Sequence, residues 1–319
     1  MKLGFVSDSL GGLGFQELLE TAVRLGAEGV EINTGGWSTA PHFDLDAMKS
    51  STDARKAFRR AFDDRGLEII CLNANGNPLH PVDTSQAECL KDTIRIAGDL
   101  GITTICAMSG LPAGAPGDTT PNWIVSSWPP ETRTILDYQW NDVLIPFWVE
   151  IVDLAKAHGV GRIALELHGN QCVFNVPSAE KLREAVGPVI GVNLDPSHLF
   201  WMGADPLVAA EALGEAIYHV HAKDTMLNPQ VQATRSLLEN GSLTDIVSRS
   251  WSYITLGFGH GEEWWRQFCY RLRMAKYDGW VSIEHEDVSL NSEEGLVKSI
   301  EMLRNVLPVA PSDYVPQAI

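Results

Sequence analysis

The sequence predicts a single (β/α)8 barrel, and three observations lead to this prediction. Short apolar segments alternate eight times with longer segments that have helical periodicity. Most of the helical segments end at or near a glycine, as helices commonly do. No G-x-G-x-x-G pattern follows the first strand, so the rival arrangement, an open doubly wound sheet, lacks its usual signature. Eight parallel βα units with right-handed crossovers would close into a barrel.

The predicted strands are short runs of mainly apolar residues. Barrel strands are buried on both faces, which explains their nearly continuous hydrophobicity. In chain order they are KLGFVS (2–7), AEGVEIN (27–33), LEIICLNAN (67–75), ITTICAMSG (102–110), RIALELHGN (162–170), VIGVNLD (189–195), AIYHVHAKD (216–224) and WVSIEHED (280–287).

The predicted helices are the segments between these strands. In the first helix, Phe15, Leu18, Leu19, Ala22 and Leu25 share one face, which indicates packing against the sheet. The series is FQELLETAVRLG (15–26), DARKAFRRAFDDRG (53–66), QAECLKDTIRIAGDLG (86–101), IPFWVEIVDLAKAHG (145–159), SAEKLREAVG (178–187), DPLVAAEALGE (205–215), GEEWWRQFCYRLRMAKYDG (261–279) and NSEEGLVKSIEMLRNVL (291–307).

Two connections are too long for simple turns, namely residues 109–141 after strand 4 and residues 225–258 after strand 7. Both begin where barrel enzymes build their sites, and long loops there are often lids. The first contains Trp123, Trp128 and Trp140, which disfavours disorder because disordered segments contain few aromatic residues. A lid and a protein-binding surface are both open readings of these tryptophans.

Composition restricts the class of protein. The chain has 319 residues, 45% of them hydrophobic, and we expect one barrel domain, 1–310, followed by a tail, 311–319. The net charge of −17 and the absence of a Lys/Arg cluster argue against binding to nucleic acid or to anionic membranes. Five scattered cysteines without a CxxC pair indicate reduced thiols. With no signal peptide or membrane span in the pattern, we expect a cytoplasmic protein.

Polar side chains stand at the ends of strands 5 to 8. In RIALELH the apolar Leu165 and Leu167 should face the helices, so Glu166 and His168 should point into the barrel. The same alternation turns Ser282 and the other even-numbered residues of strand 8 inward. One inward-facing residue from each of these four strands forms the set Glu166, Asp195, His221 and Glu284.

This set predicts a metal site. Buried carboxylates repel one another unless they are protonated or share a cation. Three carboxylates and one imidazole suit Mn²⁺ first, with Mg²⁺, Co²⁺ and Zn²⁺ as alternatives. A single strand-end Glu is ordinarily a solvated carboxylate, so the argument depends on four such residues at corresponding positions. His219, lower on its strand, is expected to be a hydrogen-bonded core histidine.

Four motifs carry a family resemblance. LELHGN, NLDPSHLFWMGADP, HVHAKD and SIEHED, in this order, resemble the sugar phosphate isomerase/epimerase family of the xylose-isomerase-like barrel superfamily. FQELLETAVRLGAEGVEIN and GFGHGEEWW (257–265) are similar to further parts of that family, so the likeness covers nearly the whole chain. The resemblance implies that Glu166, Asp195, His221 and Glu284 are the metal ligands and that His198, expected on the turn after Asp195, contacts substrate.

Two branches of the superfamily bear on the function. Apurinic-site endonucleases with three zinc ions use histidines at the ends of strands 3 and 4, where this chain has LNAN and CAMSG, so a DNA-repair role is disfavoured. NANGNPLHP resembles a motif of a subgroup that includes or lies near the large subunits of C-glycoside deglycosidases. Those subunits cleave 3-oxo-glycosides together with a small partner subunit. This likeness adds Asn75 and His80 as candidate substrate contacts, beside Lys223 and Trp201.

Three functions follow from this pattern. The first is a metal-dependent isomerase or epimerase of a sugar or keto-sugar, in which Glu166 and Glu284 transfer a proton through a metal-stabilised enediolate. The second is a lyase that cleaves 3-oxo-glycosides by metal-assisted β-elimination, with His168 as the base. The third is a non-catalytic sugar-binding subunit. The expected ligand is a carbohydrate or glycoside, and the expected assembly is a homo-oligomer or a complex with a small partner subunit.

Overall fold

Eight parallel strands close into a barrel in the computed structural model, which describes residues 1–315. The barrel strands are β1 (Lys2–Val6), β2 (Gly29–Asn33), β3 (Glu68–Ala74), β4 (Thr104–Ala107), β5 (Arg162–Glu166), β6 (Ile190–Leu194), β7 (Ile217–Ala222) and β10 (Trp280–Ile283). Two further strands, β8 (Asp224–Leu227) and β9 (Trp251–Ile254), pair with each other. Around the barrel the order is β1-β10-β7-β6-β5-β4-β3-β2, which confirms the predicted (β/α)8 barrel. Residues 316–319, the end of the predicted tail, lie outside the described residues.

Helices surround the barrel and pack their apolar faces on the strands. They are α1 (Phe15–Leu25), α2 (Leu45–Ser50), α3 (Thr52–Asp63), α4 (Ser85–Asp99), α5 (Glu131–Asp137), α6 (Ile145–Ala157), α7 (Val176–Val186), α8 (Pro196–Met202), α9 (Pro206–Leu213), α10 (Pro229–Arg235), α11 (Glu262–Met274) and α12 (Ser292–Val306). Trp148 of α6 and Trp265 of α11 are fully buried in this outer core. Within residues 1–315, none of the helices combines the length and apolar character that a membrane crossing requires.

The two long connections contain more regular structure than the sequence predicted. In 109–141, helix α5 begins at Glu131, and a π-helical segment, Tyr138–Leu144, joins it to α6. In 225–258, strands β8 and β9 form an antiparallel ribbon that encloses α10. Neither addition has a strong periodic pattern, because each element is only four to seven residues long.

The segment that follows β6 also differs from its predicted structure. The sequence reading put His198 on a turn after strand 6, but the structure has a short helix there. Asp195 caps it by accepting a hydrogen bond from the Ser197 backbone N–H at 2.7 Å, and Pro196 occupies the first helical turn. An acid followed by proline is a common helix start. The cap fixes Asp195 at the point where β6 ends.

Asp224 ties the ribbon to the segment before α11. Its buried carboxylate accepts hydrogen bonds from the backbone N–H groups of Gly257 (3.0 Å), Gly259 (3.1 Å) and His260 (2.9 Å). It also accepts from the Thr225 backbone N–H at 2.8 Å. A Cβ on Gly259 would lie 2.5 Å from the Thr225 carbonyl oxygen, so this close approach requires glycine.

We therefore expect Asp224→Asn to destabilise the fold by about 3 kcal/mol. The amide has only one acceptor oxygen, and its NH₂ group would face N–H donors inside the protein. Urea unfolding followed by circular dichroism measures this cost. The exposed Asp118, replaced by Asn, is the control and should shift stability by less than about 0.5 kcal/mol. An Asp224→Asn protein as stable as the control would contradict this role.

Candidate metal site

Four side chains converge at the carboxyl end of the barrel. Glu166 ends β5, Asp195 follows β6, His221 lies near the end of β7 and Glu284 follows β10. One ligand atom from each can be chosen so that all four lie within 4.8 Å of one another. Three of the residues are at most 1% exposed, and the Glu284 side chain is 17% exposed. The structure thus brings together the four residues that the strand alternation selected.

The atoms between these side chains lack hydrogen-bond partners. Asp195 Oδ2 and His221 Nδ1 are buried and have no hydrogen-bond partner among the described residues. His221 Nδ1 lies 3.3 Å from Glu284 Oε2 and 3.6 Å from Glu166 Oε2. A buried polar atom without a partner is costly, and three buried carboxylates repel one another. A divalent cation at this point would remove both costs, so the residues fit a metal ion.

The ionisation of the site shows how strongly its charges interact. Burial raises the pKa of the Glu284 carboxyl, but the charges of Lys223 and His221 outweigh it and hold that pKa below its usual range. Burial lowers the pKa of the His221 imidazole, but Glu31 and Glu284 outweigh it and raise that pKa well above its ordinary value. A proton on His221 and a divalent cation would each offset the negative charge of the same carboxylates. Metal binding would therefore compete with protonation of His221.

Glu31 orients the His221 imidazole through a hydrogen bond to its Nε2. This buried β2 carboxylate accepts hydrogen bonds from His221 Nε2 at 3.1 Å, His219 Nε2 at 2.7 Å and Asn73 Nδ2 at 2.7 Å. Because Nε2 of His221 donates to Glu31, the neutral imidazole has its lone pair on Nδ1, which faces the other three residues. Burial raises the pKa of Glu31, but the two histidines lower it by more and keep the carboxylate ionised. His219 is thus the hydrogen-bonded core histidine that the sequence predicted.

The same inner residues could in principle hold an ion of their own. One ligand atom from each of Glu31, Cys106, His219 and His221 also lies within 4.8 Å of the others. Both carboxylate oxygens of Glu31 already accept hydrogen bonds, however, and burial raises the pKa of the Cys106 thiol well above its ordinary value. We therefore interpret the inner group as support for His221.

His198 and His168 stand next to each other above the four ligands. Nε2 of His198 lies 2.8 Å from Glu166 Oε1, and its Nδ1 lies 2.9 Å from the Tyr253 hydroxyl. Burial lowers the pKa of His198, but Asp195 and Glu166 outweigh it and raise that pKa to about 9. Burial and the neighbouring His198 hold the pKa of His168 well below its ordinary value. His168 is therefore neutral at pH 7, and its Nδ1 hydrogen-bonds the Gly169 carbonyl, leaving Nε2 available to accept a proton.

Asn75 and Lys223 hold the two glutamates. The Asn75 amide donates to Glu166 Oε2. The buried Lys223 ammonium lies 3.1 Å from Glu284 Oε2 and 2.6 Å from Glu286 Oε2. Glu166 is therefore held at Oε2 by Asn75 and at Oε1 by His198, and Glu284 is held at Oε2 by Lys223.

A cavity of about 180 Å³ is lined by two of the four candidate ligands, Glu166 and Glu284. It contains the predicted residues Asn75, Glu166, His168, His198, Lys223 and Glu284. The remaining lining residues were not predicted as site residues. They are Asp8, Asn33, Gly35, Trp37, Ser38, Asn73, Met108, Tyr253 and Glu286. Most of them lie on connections, whose reach across the barrel mouth cannot be read from periodicity. Strand alternation could have pointed to Glu31 and Asn33, since polar residues alternate with apolar ones in GVEIN.

Two predicted substrate contacts lie outside the lining of this cavity. His80 Nδ1 accepts hydrogen bonds from the backbone N–H groups of Val82 and Asp83, so it stabilises the turn before α4. Trp201 stacks on Trp251 with ring centroids 4.9 Å apart and packs against Gly169, where a Cβ would lie 2.2 Å from its ring. Trp201 supports the segment after His168 by packing.

Comparisons with known proteins agree with the observed fold. The family described as xylose isomerase-like TIM barrel matches residues 19–306. The uncharacterised protein YfiH of Bacillus subtilis (strain 168) is 46% identical over 311 residues, which cover 96% of this chain and 99% of that protein.

Two solved structures are similar in fold at low sequence identity. The IolI protein, whose crystal structure contains a zinc atom, has a TM-score of 0.66 and 19% identity, covering 96% of this chain and 98% of that one. A D-tagatose 3-epimerase-like protein has a TM-score of 0.62 and 22% identity, covering 96% and 97%.

We expect Glu31→Gln to weaken metal affinity by about 10- to 100-fold, because the amide no longer orients His221 as an ionised acceptor. Competition with a metal-binding dye at fixed pH measures the affinity. Glu68→Gln, an exposed change on β3, is the matched control and should leave affinity unchanged. Unaltered affinity in a folded Glu31→Gln protein would show that this carboxylate does not support the site.

Proposed function

This chain belongs to the xylose isomerase-like TIM barrel family, and we propose that it is a metal-dependent isomerase or epimerase of a sugar or keto-sugar. The observation that carries the proposal is the convergence of three carboxylates and one imidazole around partnerless buried atoms at the barrel mouth. The zinc atom of the IolI structure and the name of the epimerase-like protein agree with it.

Glu166, Asp195, His221 and Glu284 would hold the metal. When bound, a divalent ion supplies a Lewis acid that polarises a substrate carbonyl and makes the neighbouring C–H more acidic. Mn²⁺ is our first candidate, since the donor set is rich in oxygen.

Glu166 and Glu284 would exchange the substrate proton. They come from β5 and β10, which β6 and β7 separate, so they approach the cavity from different directions. One carboxylate removes the proton from the carbon beside the carbonyl, and the other returns it to the same or a neighbouring carbon. Asn75 and Lys223 keep the two carboxylates in place during the exchange.

His198 would bind a substrate oxygen. Its imidazole lines the cavity between Glu166 and the Tyr253 hydroxyl, so a substrate oxygen that approaches Glu166 would come within reach of the Nε2 donor. Such a donor stabilises negative charge that develops on the oxygen as the proton leaves.

The neutral His168 favours a second candidate function, a lyase that eliminates the substituent of a 3-oxo-glycoside. A base with a lowered pKa and a free Nε2 in the cavity is what proton removal before elimination requires. Product mass separates the two candidates, because an isomerase product has the mass of the substrate and a lyase releases its leaving group.

If the protein is a lyase, His168→Asn should slow release of the leaving group by about 10²–10⁴-fold, because the amide cannot act as the base.

We expect Glu166→Gln to abolish solvent deuterium incorporation into the substrate. The amide cannot accept a proton, so the rate should fall by at least ~10²–10⁴-fold. A panel of aldoses, ketoses and 3-oxo sugars in D₂O, read by NMR and mass spectrometry, measures incorporation in metal-loaded protein. Glu301→Gln, on the exposed face of α12, controls for loss of a glutamate. Deuterium exchange at the wild-type rate in Glu166→Gln would exclude Glu166 as the base.

A further inference from the structure

The charges around the cavity restrict the substrate further. We propose that the substrate is an uncharged, unphosphorylated sugar or keto-sugar, and that Asp8 and Glu286 exclude anionic sugars. This inference rests on the proposed function, because it concerns the same cavity. Its evidence is the charge inventory of the cavity and the contacts of its one ammonium group.

Carboxylates outnumber cations at the mouth. Asp8, Glu166, Glu284 and Glu286 line the cavity, and Asp195 lies among the ligands below. Of the described residues that line it, Lys223 is the single lysine, and none is an arginine. Even with a divalent cation in place and a proton on His198, the formal charge of this group remains negative. A phosphate or carboxylate on the substrate would add to the repulsion.

Lys223 is already committed to other carboxylates. Its ammonium contacts Glu284 and Glu286 and lies 4.3 Å from the centroid of the Tyr253 ring. The side chain is only 4% exposed, so it has little freedom to turn toward a ligand. Phosphate sites in proteins use cations that are free to pair with the anion, often arginine in bidentate geometry. Lys223 is therefore paired with carboxylates and is not free to bind an anionic group of the substrate.

Two segments that begin beside the site have an acidic residue at their N-terminus. Backbone N–H groups at a helix N-terminus are the common alternative to a basic side chain for holding phosphate. The Asp195 side chain caps α8 and accepts the hydrogen bond of the Ser197 N–H, while Pro196 has no N–H to offer. The 3₁₀ segment Ser7–Leu10 after β1 has Asp8 in its first turn. Both positions thus already hold negative charge.

The remaining groups suit a neutral polyhydroxy compound. The Asp8 carboxylate accepts hydrogen bonds from Ser38 Oγ at 2.5 Å and from Ser7 Oγ at 3.4 Å, and it lines the cavity. A carboxylate oxygen can accept more than one hydrogen bond, so Asp8 can also accept from a substrate hydroxyl. The Trp37 side chain is 51% exposed at the rim, with its ring centroid 5.6 Å from that of His168. An exposed indole beside carboxylate and amide acceptors offers an apolar surface to the C–H face of a sugar ring. The hydroxyl groups of the sugar can then donate to the acceptors.

Paired ligands test this inference without any need for turnover. The pairs are D-fructose with D-fructose 6-phosphate, D-glucose with D-glucose 6-phosphate, and D-glucose with D-glucuronate. Binding to metal-loaded wild-type protein is measured by calorimetry and by ligand-observed NMR. We expect the neutral member of at least one pair to bind about tenfold or more tightly than its anionic partner, and no anionic member to bind more tightly.

A charge-neutral double variant identifies the residues responsible. In Asp8→Asn with Glu286→Gln, the affinity for the anionic member should rise about tenfold relative to its neutral partner. Glu184→Gln with Glu301→Gln removes two exposed carboxylates elsewhere and should leave that ratio unchanged. Both test positions are partly exposed, so neutral replacements should be accommodated.

Two results would overturn the inference. One is an anionic sugar that binds wild-type protein as tightly as its neutral partner, and the other is the failure of every neutral sugar to bind. Proton exchange with a bound sugar phosphate would refute the inference and leave the proposed function intact. A neutral sugar that binds without any proton exchange would support the inference and contradict the proposed function.

Discussion

Repulsion among three buried carboxylates is the constraint on which the rest of the site depends. Parallel strands of a barrel bring their carboxyl ends to one mouth, so Glu166, Asp195 and Glu284 must lie close together wherever these strands close. The surrounding residues compensate for this crowding. Lys223 pairs with Glu284, and His198 lies between Glu166 and Asp195. His221 Nδ1 faces all three carboxylates, and its Nε2 is hydrogen-bonded to Glu31. The remaining orphaned atoms mark the place for a cation.

This compensation links the site to the fold. Tyr253, which hydrogen-bonds His198, belongs to strand β9 of the ribbon, and β9 pairs with β8. Asp224, the first residue of β8, binds the segment that leads into α11. The ribbon is therefore part of the wall of the cavity as well as an insertion after β7. Asp224 fixes its position together with the hydrogen bonds from Thr255 to Asp287 and from Thr225 to the Ser197 carbonyl.

Much of the barrel and the convergence of its candidate metal ligands could be predicted from the sequence, because both depend on local alternation. Strand periodicity turned Glu166 and Glu284 inward, and parallel strands necessarily end together. What could not be predicted depends on contacts between distant segments. Glu31 meets His221 across 190 positions of the chain, and Asp8 enters the cavity from a short 3₁₀ segment. His80 lies outside the lining of the cavity and accepts hydrogen bonds from the local turn, an arrangement that its position just past a strand does not reveal.

Bound metal in the purified protein is the measurement that tests this account most directly. Elemental analysis of wild type and of Asp195→Ala, each checked for folding by circular dichroism, should find about one divalent ion per wild-type chain and a large loss in the variant. Asp205→Ala is the matched control, because Asp205 also precedes a proline and caps a helix but lies outside the site. Full metal retention in folded Asp195→Ala, or wild-type protein that takes up no added metal, would contradict the four-strand site and the chemistry proposed for it.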